Sequence, residues 1–205
     1  MEEYVNGKTV ALVGNAESLF NYQYGSEIND HQVVIRINNS AIFYDDKNPR
    51  HTHGTKIDLW AFWDVNKFAT SQSSYRTERM DKFFYDRKYD MLNLDMNRKD
   101  KGFIFNNEEF GLDIKLNCKK ETGNPSAGLT LLYLLNEFNP KVVNVYGFDF
   151  KQTKTFHHQY NDTDENRYDS FNRHDFKFEE AYANQKFFTQ ERFVLKGEPN
   201  GTNTR

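Results

Sequence analysis

Apolar and polar positions divide the chain into short blocks, each of which stops at a polar cluster. Thr9 to Val13 is a β-branched run ended by Gly14, and Ala16 to Phe20 follows with helix-compatible residues. That pattern predicts a strand, a tight turn and a helix start. Gln32 to Ile37 predicts a second buried strand that delivers Asn38, Asn39 and Ser40 into a loop, and Ile57 to Phe62 predicts a third. The stretch from about Phe68 to Lys120 is charged and less periodic, with a helix predicted at Arg76 to Tyr85 and a strand at Tyr89 to Leu94. Pro125 then precedes an apolar helix through Asn136, with Ser126 placed to cap it. Val142 to Tyr146 predicts another buried strand, closed by Gly147 and leading to Phe148, Asp149 and Phe150. A polar loop from Lys151 to Arg173 leads to a terminal helix from about Phe176 to Phe193. Strands separated by helices, each finishing in a polar cluster, describe a single α/β sheet domain over 1–196 whose ligands collect at the carboxyl ends of the strands. The tail 197–205 is expected to be disordered.

Composition narrows the class. Only 37% of residues are hydrophobic while 16% are aromatic, so the core must lean on Phe and Tyr. A net charge of -3 with interspersed signs gives no overall field for drawing in a polyanion. Met1 to Lys8 is acidic and runs directly into a strand, unlike a secretion signal, and no apolar run approaches the roughly 18 to 20 residues that cross a bilayer. Cys118 has no second cysteine to pair with, which agrees with a reducing compartment. These features predict a soluble cytoplasmic protein with no membrane span. An excess of Asn, Lys, Tyr, Phe and Asp over Ala, Pro and Arg suggests AT-rich coding, as in many viruses and some bacteria.

Candidate chemistry lies at the block ends, and each candidate has a plain alternative. At Gly14 and Asn15 the glycine admits close backbone approach, a helix N-terminus would favour an anion, and the Asn amide can donate to a phosphate or ribose oxygen. The glycine spacing of a dinucleotide fingerprint is missing, so the other reading is an ordinary strand-to-helix turn. Asn38 closes the second strand and would converge with Asn15 if the two strands are neighbours; alone it is a turn residue. Ser126, Ala127 and Gly128 open a helix with backbone amides on offer, or simply cap it. Asp149 is placed to orient a sugar or acceptor hydroxyl, or to stabilise its own turn. His51-Thr52-His53 reads as loop, and the adjacent His157 and His158 are poorly spaced for one metal. Asp162-Thr163-Asp164 formally matches a metal-diphosphate motif but reads better as a solvated acidic turn, so no metal is expected. His174 stands five residues ahead of Glu179, and histidine is the residue type best suited to act as a general base at neutral pH. Its bland alternative is a surface histidine before a helix whose Glu179 and Glu180 form the solvated face.

Taken in order, these stretches resemble the sialyltransferases of glycosyltransferase family 29. The long motif of that family looks like Val10-Ala11-Leu12-Val13-Gly14-Asn15-Ala16-Glu17-Ser18-Leu19, continuing through Gly25 and Ile28 to Asn38. The short motif is similar to Asn124-Pro125-Ser126-Ala127-Gly128-Leu129, continuing through Val143 to Phe148. His158-Gln159-Tyr160 matches the third motif in part, and His174 with Glu179 matches the last. The resemblance implies a Rossmann-like nucleotide-binding domain, a variant of the glycosyltransferase A fold. It also implies an inverting, metal-independent transfer from a nucleotide-sugar donor, a cytidine monophosphate sugar by family and a UDP-sugar as the alternative, with no other cofactor.

By motif position, Asn15 and Asn38 would contact the nucleotide, and Ser126, Ala127 and Gly128 would form the loop near the donor. His158 would stabilise the departing phosphate and His174 would be the base. The departures are Ala127 where the short motif usually has Thr or Ser, Gln159 where an aromatic is usual, and the missing disulfide, anchor and stem of animal members. They bear on donor and acceptor more than on reaction type. Two acceptors stand at this point, a glycan and 5-hydroxymethylcytosine in viral DNA that would receive arabinose or glucose. Basic and aromatic residues in Tyr75 to Arg98 and Lys186 to Lys196 are candidates for a DNA face. A non-catalytic nucleotide-binding module is the third reading.

Overall fold

The computed structural model describes residues 2–38, 50–62, 90–94, 108–153 and 174–197. In chain order these form α1 (Glu2–Val5), β1 (Thr9–Val13), a 3₁₀ turn (Glu17–Asn21), α2 (Gly25–Asn29), β2 (Val33–Ile37), α3 (Arg50–His53), β3 (Leu59–Phe62), β4 (Asp90–Asn93), α4 (Glu108–Thr122), α5 (Ala127–Glu137), β5 (Val142–Tyr146), α6 (Phe176–Lys186) and β6 (Phe193–Lys196). The strands make one sheet in the order β4-β3-β2-β1-β5-β6, and every pairing is parallel.

Two-residue alternation sorts β1 between the faces of this sheet. Val10 and Leu12 join the larger core with Val143 and Val145 of β5, Leu129 to Leu135 of α5, Cys118 of α4 and Ala183 of α6. Ala11 and Val13 face the other way, onto Leu19, Ile28 and Tyr146. The fold is therefore a three-layer α/β arrangement with strands buried from both sides, which is why they read as continuous apolar runs. Helix α5 forms because Ser126 caps it, its side chain accepting from the Leu129 amide at 3.2 Å, and because Leu129 to Leu135 are all buried. Cys118 is buried in the same core, and that burial pushes its thiol up to about 11.

Several expectations need correction. The segment after Asn15 is a five-residue 3₁₀ turn with no side-chain cap, so no helix dipole stands behind Asn15. The terminal helix ends at Lys186; a turn through the buried Phe187 releases the chain, and Phe193 begins β6 against Val143. That strand is too short for its period to show in the sequence. Helix α4 occupies ground predicted only as charged and aperiodic. Its apolar positions are sparse, and Leu116 points outward at 45% exposure. A turn of helix precedes β1, and His51 to His53 lie in α3 instead of a loop. The expected helix at Arg76 to Tyr85 and the tail beyond Gly197 lie outside the described residues. Gly197 itself is tied down, its carbonyl accepting from the Tyr22 hydroxyl.

Beneath α3, Arg36 of β2 is wholly buried and donates to the backbone carbonyls of Lys56 (2.9 Å) and His53 (2.7 Å). Burial, and then the Arg36 charge, push the His53 imidazole down to about 3. Its folded pKa lies below the unfolded value of about 6.5, so the stability it contributes is complete above that value and lost as pH falls toward 3. Urea unfolding is expected to show stability falling by about 1.4 kcal/mol per pH unit between roughly pH 6 and 4 from this group. His53→Gln should flatten that slope, and parallel pH profiles for the two proteins would locate the sensitivity elsewhere.

Candidate active site at the topological switch

From β1 the chain runs outward through β2, β3 and β4, then returns to the opposite side of β1 with β5 and β6. Strand order reverses between β1 and β5, and the carboxyl ends of those two strands are where an open α/β sheet offers a ligand crevice. The two strand-end segments stay bonded there, with the Gly14 amide donating to the Tyr146 carbonyl (2.7 Å) and the Ala16 amide to the Gly147 carbonyl (3.1 Å).

Phe148 is the keystone of this junction. A Cβ on Gly14 would stand 2.5 Å from the Gly147 carbonyl oxygen and 2.7 Å from the Phe148 ring, and one on Gly128 would stand 2.6 Å from the same ring. The close approach expected at Gly14 is thus made by Phe148, which also presses against Gly128 and so draws the end of β1 and the start of α5 together. Two glycines in separate motifs, each needing room for a ring, were the signal for it in the sequence.

On the β1–β2 side Asn15 and Asn38 do converge. The Asn15 Nδ2 donates to the Ile37 carbonyl at 3.2 Å, which turns Oδ1 the other way. That Oδ1 is buried and has no hydrogen-bond donor among the described residues. Asn38 takes a left-handed backbone (φ 50), a conformation Asn tolerates, and its carbonyl is held by Trp60 Nε1 at 2.7 Å. Trp60 was not anticipated as a support of the site.

Across Phe148 lies a second group of residues. Glu179 of α6 is 2% exposed, and its carboxylate takes hydrogen bonds from the Ser126 amide (2.7 Å) and the Ser126 hydroxyl (2.6 Å). Burial raises its pKa, against the lowering effect of the two Ser126 bonds and of nearby His174. The solvated-face reading of Glu179 is therefore wrong. Only Glu180 behaves in that way, reaching Gln152 at 3.2 Å.

His174 Nδ1 lies 2.7 Å from the Asn124 carbonyl and 3.9 Å from Glu179 Oε1. A carbonyl oxygen only accepts, so the proton sits on Nδ1 and the Nε2 lone pair is left for a reacting group. Glu179 thereby joins the His174 segment to the loop that opens α5. At that opening the Ala127 and Gly128 amides have no acceptor among the described residues.

Asp149 folds back on its own loop, accepting from the amides of Lys151 (3.1 Å) and Thr153 (3.0 Å) and from the Thr153 hydroxyl, which is the turn geometry anticipated as its alternative. Thr153 in turn accepts from the Ser18 amide at 3.1 Å, which ties this loop to the 3₁₀ turn. Lys186, a candidate for a DNA face, is engaged within the molecule. It donates to Glu121 at 2.9 Å and lies 4.3 Å over the Tyr133 ring. His157, His158, Asp162 and Asp164 lie outside the described residues, as does most of Tyr75 to Arg98. Among the described residues no group of three or more His, Cys, Asp or Glu is arranged to hold a metal ion, and no helix is long and apolar enough to cross a membrane.

Residues 5–55 match the model of glycosyltransferase family 29 (sialyltransferase), a segment that runs from α1 through β1, Asn15 and Asn38 into α3. Curated proteins contain no match by sequence. Solved structures match over far more of the chain. A mammalian sialyltransferase superposes with a TM-score of 0.54 at 14% identity, covering 94% of this chain and 70% of its own. The monofunctional alpha-2,3-sialyltransferase Cst-I from Campylobacter jejuni gives 0.54 at 14% identity, covering 92% and 75%. CstII from the same organism, in complex with the substrate analogue CMP-3FNeuAc, gives 0.50 at 16% identity, covering 92% and 78%. The chain is thus sialyltransferase-like, carrying the family 29 signature over 5–55 and the sialyltransferase fold over nearly its whole length.

Proposed function

We propose that this protein is an inverting glycosyltransferase that moves a sugar from a CMP-linked donor to a glycan hydroxyl, with His174 as general base. The observation that carries the proposal is the state of the family-matched segment at the switch point, where Asn15 Oδ1 is buried with no donor among the described residues. A ligand hydroxyl or amino group would satisfy that oxygen, since a buried acceptor left unpaired costs about 1 to 3 kcal/mol. The open amides of Ala127 and Gly128, at the start of an eleven-residue helix, favour an anion such as the donor phosphate. Asn38, on the neighbouring strand end, completes the nucleotide side.

In the proposed reaction the acceptor oxygen attacks the anomeric carbon while its proton passes to His174 Nε2. The bond to the phosphate oxygen breaks, and CMP leaves with the electron pair. As the imidazole becomes cationic, the Glu179 carboxylate 3.9 Å away stabilises it. His158 is proposed, on the resemblance, to stabilise the departing phosphate. The resemblance implies a metal-independent transfer, and these steps need only the side chains named. Matched structures support the substrates: one holds CMP-3FNeuAc and another Gal-beta-1-3GalNAc-ortho-nitrophenol. The DNA acceptor gains nothing from them, and a non-catalytic module gives no reason for the His174 tautomer.

Thermal denaturation tests the donor side directly. CMP at about 100 times its Kd should stabilise the protein by about 2.7 kcal/mol, with UDP and GDP doing less. Asn15→Ala should lose most of that gain. A preference for UDP would reassign the donor, and indifference to all three nucleotides would sink the proposal.

A further inference from the structure

Lys151 has no role in the mechanism above. It follows β5 in a loop whose backbone is strained, since Phe150 and Lys151 are consecutive non-glycine residues in the left-handed region (φ 48 and 67). Asp149 holds that conformation through its bonds to the Lys151 and Thr153 amides. The loop points the half-buried Lys151 ammonium at the ring of Phe176, 5.8 Å from its centroid, and the His174 imidazole lies 5.6 Å from the same ring. Among the described residues no carboxylate or carbonyl accepts a hydrogen bond from Lys151 Nζ; the Asp149 carboxylate, bonded to its own loop, acts on it through charge alone. Burial lowers the Lys151 pKa, the mark of a cation held partly out of water. A strained loop that holds a cation against the same ring as the base, with no hydrogen-bonding carboxylate among the described residues, is set up to receive an anion from outside.

We propose that Lys151 binds an oxyanion of the substrates next to His174 and so positions it for transfer. This rests on the glycosyltransferase reading. Two sources share that chemistry, the donor phosphate and a carboxylate on the acceptor glycan. Both lie near the base during transfer.

Calorimetric titration of wild type, Lys151→Met and Lys151→Arg with CMP and with cytidine reads the first source. Turnover of a galactoside against the matching galacturonide, which differ by one carboxylate, reads the second. Lys151→Met should lose at least tenfold on one anionic probe relative to its neutral twin, and Lys151→Arg should keep most of it. Loss confined to CMP identifies the phosphate. A KM raised for the galacturonide alone, with kcat kept, identifies the acceptor. Unchanged behaviour on both pairs, or equal losses on charged and neutral probes, would overturn the role. If wild type neither binds CMP nor turns over a glycan, the glycosyltransferase reading fails separately. Inorganic phosphate then decides Lys151 alone: a Tm rise in wild type that is missing in Lys151→Met upholds the anion site, and equal Tm values for the two refute it.

Discussion

Replacing His174 with Ala is expected to lower kcat by about 10²- to 10⁴-fold, the range that a positioned general base contributes. Affinity for CMP should change little, because the proposed nucleotide side rests on Asn15, Asn38 and the start of α5. The imidazole is partly exposed and its one short hydrogen bond goes to the Asn124 carbonyl, so the stability cost should be about 1 kcal/mol. Kinetics and a CMP titration on the same preparation separate the effects. Undiminished kcat in a folded His174→Ala protein would remove the residue from the chemistry and reopen the non-catalytic reading.

Glu179 should show the larger structural effect. Its carboxylate is buried and receives two donors from Ser126, so Glu179→Ala leaves the Ser126 amide and hydroxyl without their acceptor. A loss of about 3 kcal/mol in unfolding free energy is expected, together with loss of activity, because the same carboxylate faces His174. Glu179→Gln keeps the shape and one acceptor oxygen but removes the charge that would balance an imidazolium. That variant should keep more of its stability while kcat falls, and urea unfolding run beside kinetics will resolve the two contributions. Equal stability of Glu179→Ala and wild type would mean that the Ser126 bonds are not formed in solution.

The two variants act on different links of one chain of contacts. In the proposed mechanism His174 carries the proton, and Glu179 holds the imidazole and the α5 loop in one frame. A Glu179 substitution should therefore also weaken the donor side through Ser126, which His174→Ala should not.

The sequence was legible wherever short-range patterning governs structure. Runs of β-branched residues ended by Gly or Asn located β1, β2 and β5 to within a residue, since a strand buried on both faces has to be apolar throughout. Ser126 was identifiable as a cap because its hydroxyl satisfies an amide only three residues away. Helix α4 and strand β6 were not legible. The first has few apolar positions, burying Lys115 and Cys118 while Leu116, Lys119 and Lys120 stay exposed, and the second is four residues long and takes its identity from pairing with β5.

By itself, then, the sequence determined the α/β class, the order of the main strands, the helix cap at Ser126 and the set of candidate residues, because propensity, turn chemistry and motif order are local. Tertiary structure alone decided which candidates meet. Residues 53 positions apart along the chain join when Glu179 reaches Ser126, and a 50-residue separation closes when His174 finds the Asn124 carbonyl. The switch of strand order at β1 and the fit of Phe148 between Gly14 and Gly128 are what bring these pieces to one crevice. Burial also chose between the readings of Glu179, since the same carboxylate is a surface charge or a buried acceptor depending on which side of α6 faces α5. Helical spacing puts Glu179 and Glu180 on different faces, and only the packing of α6 says which one is inside.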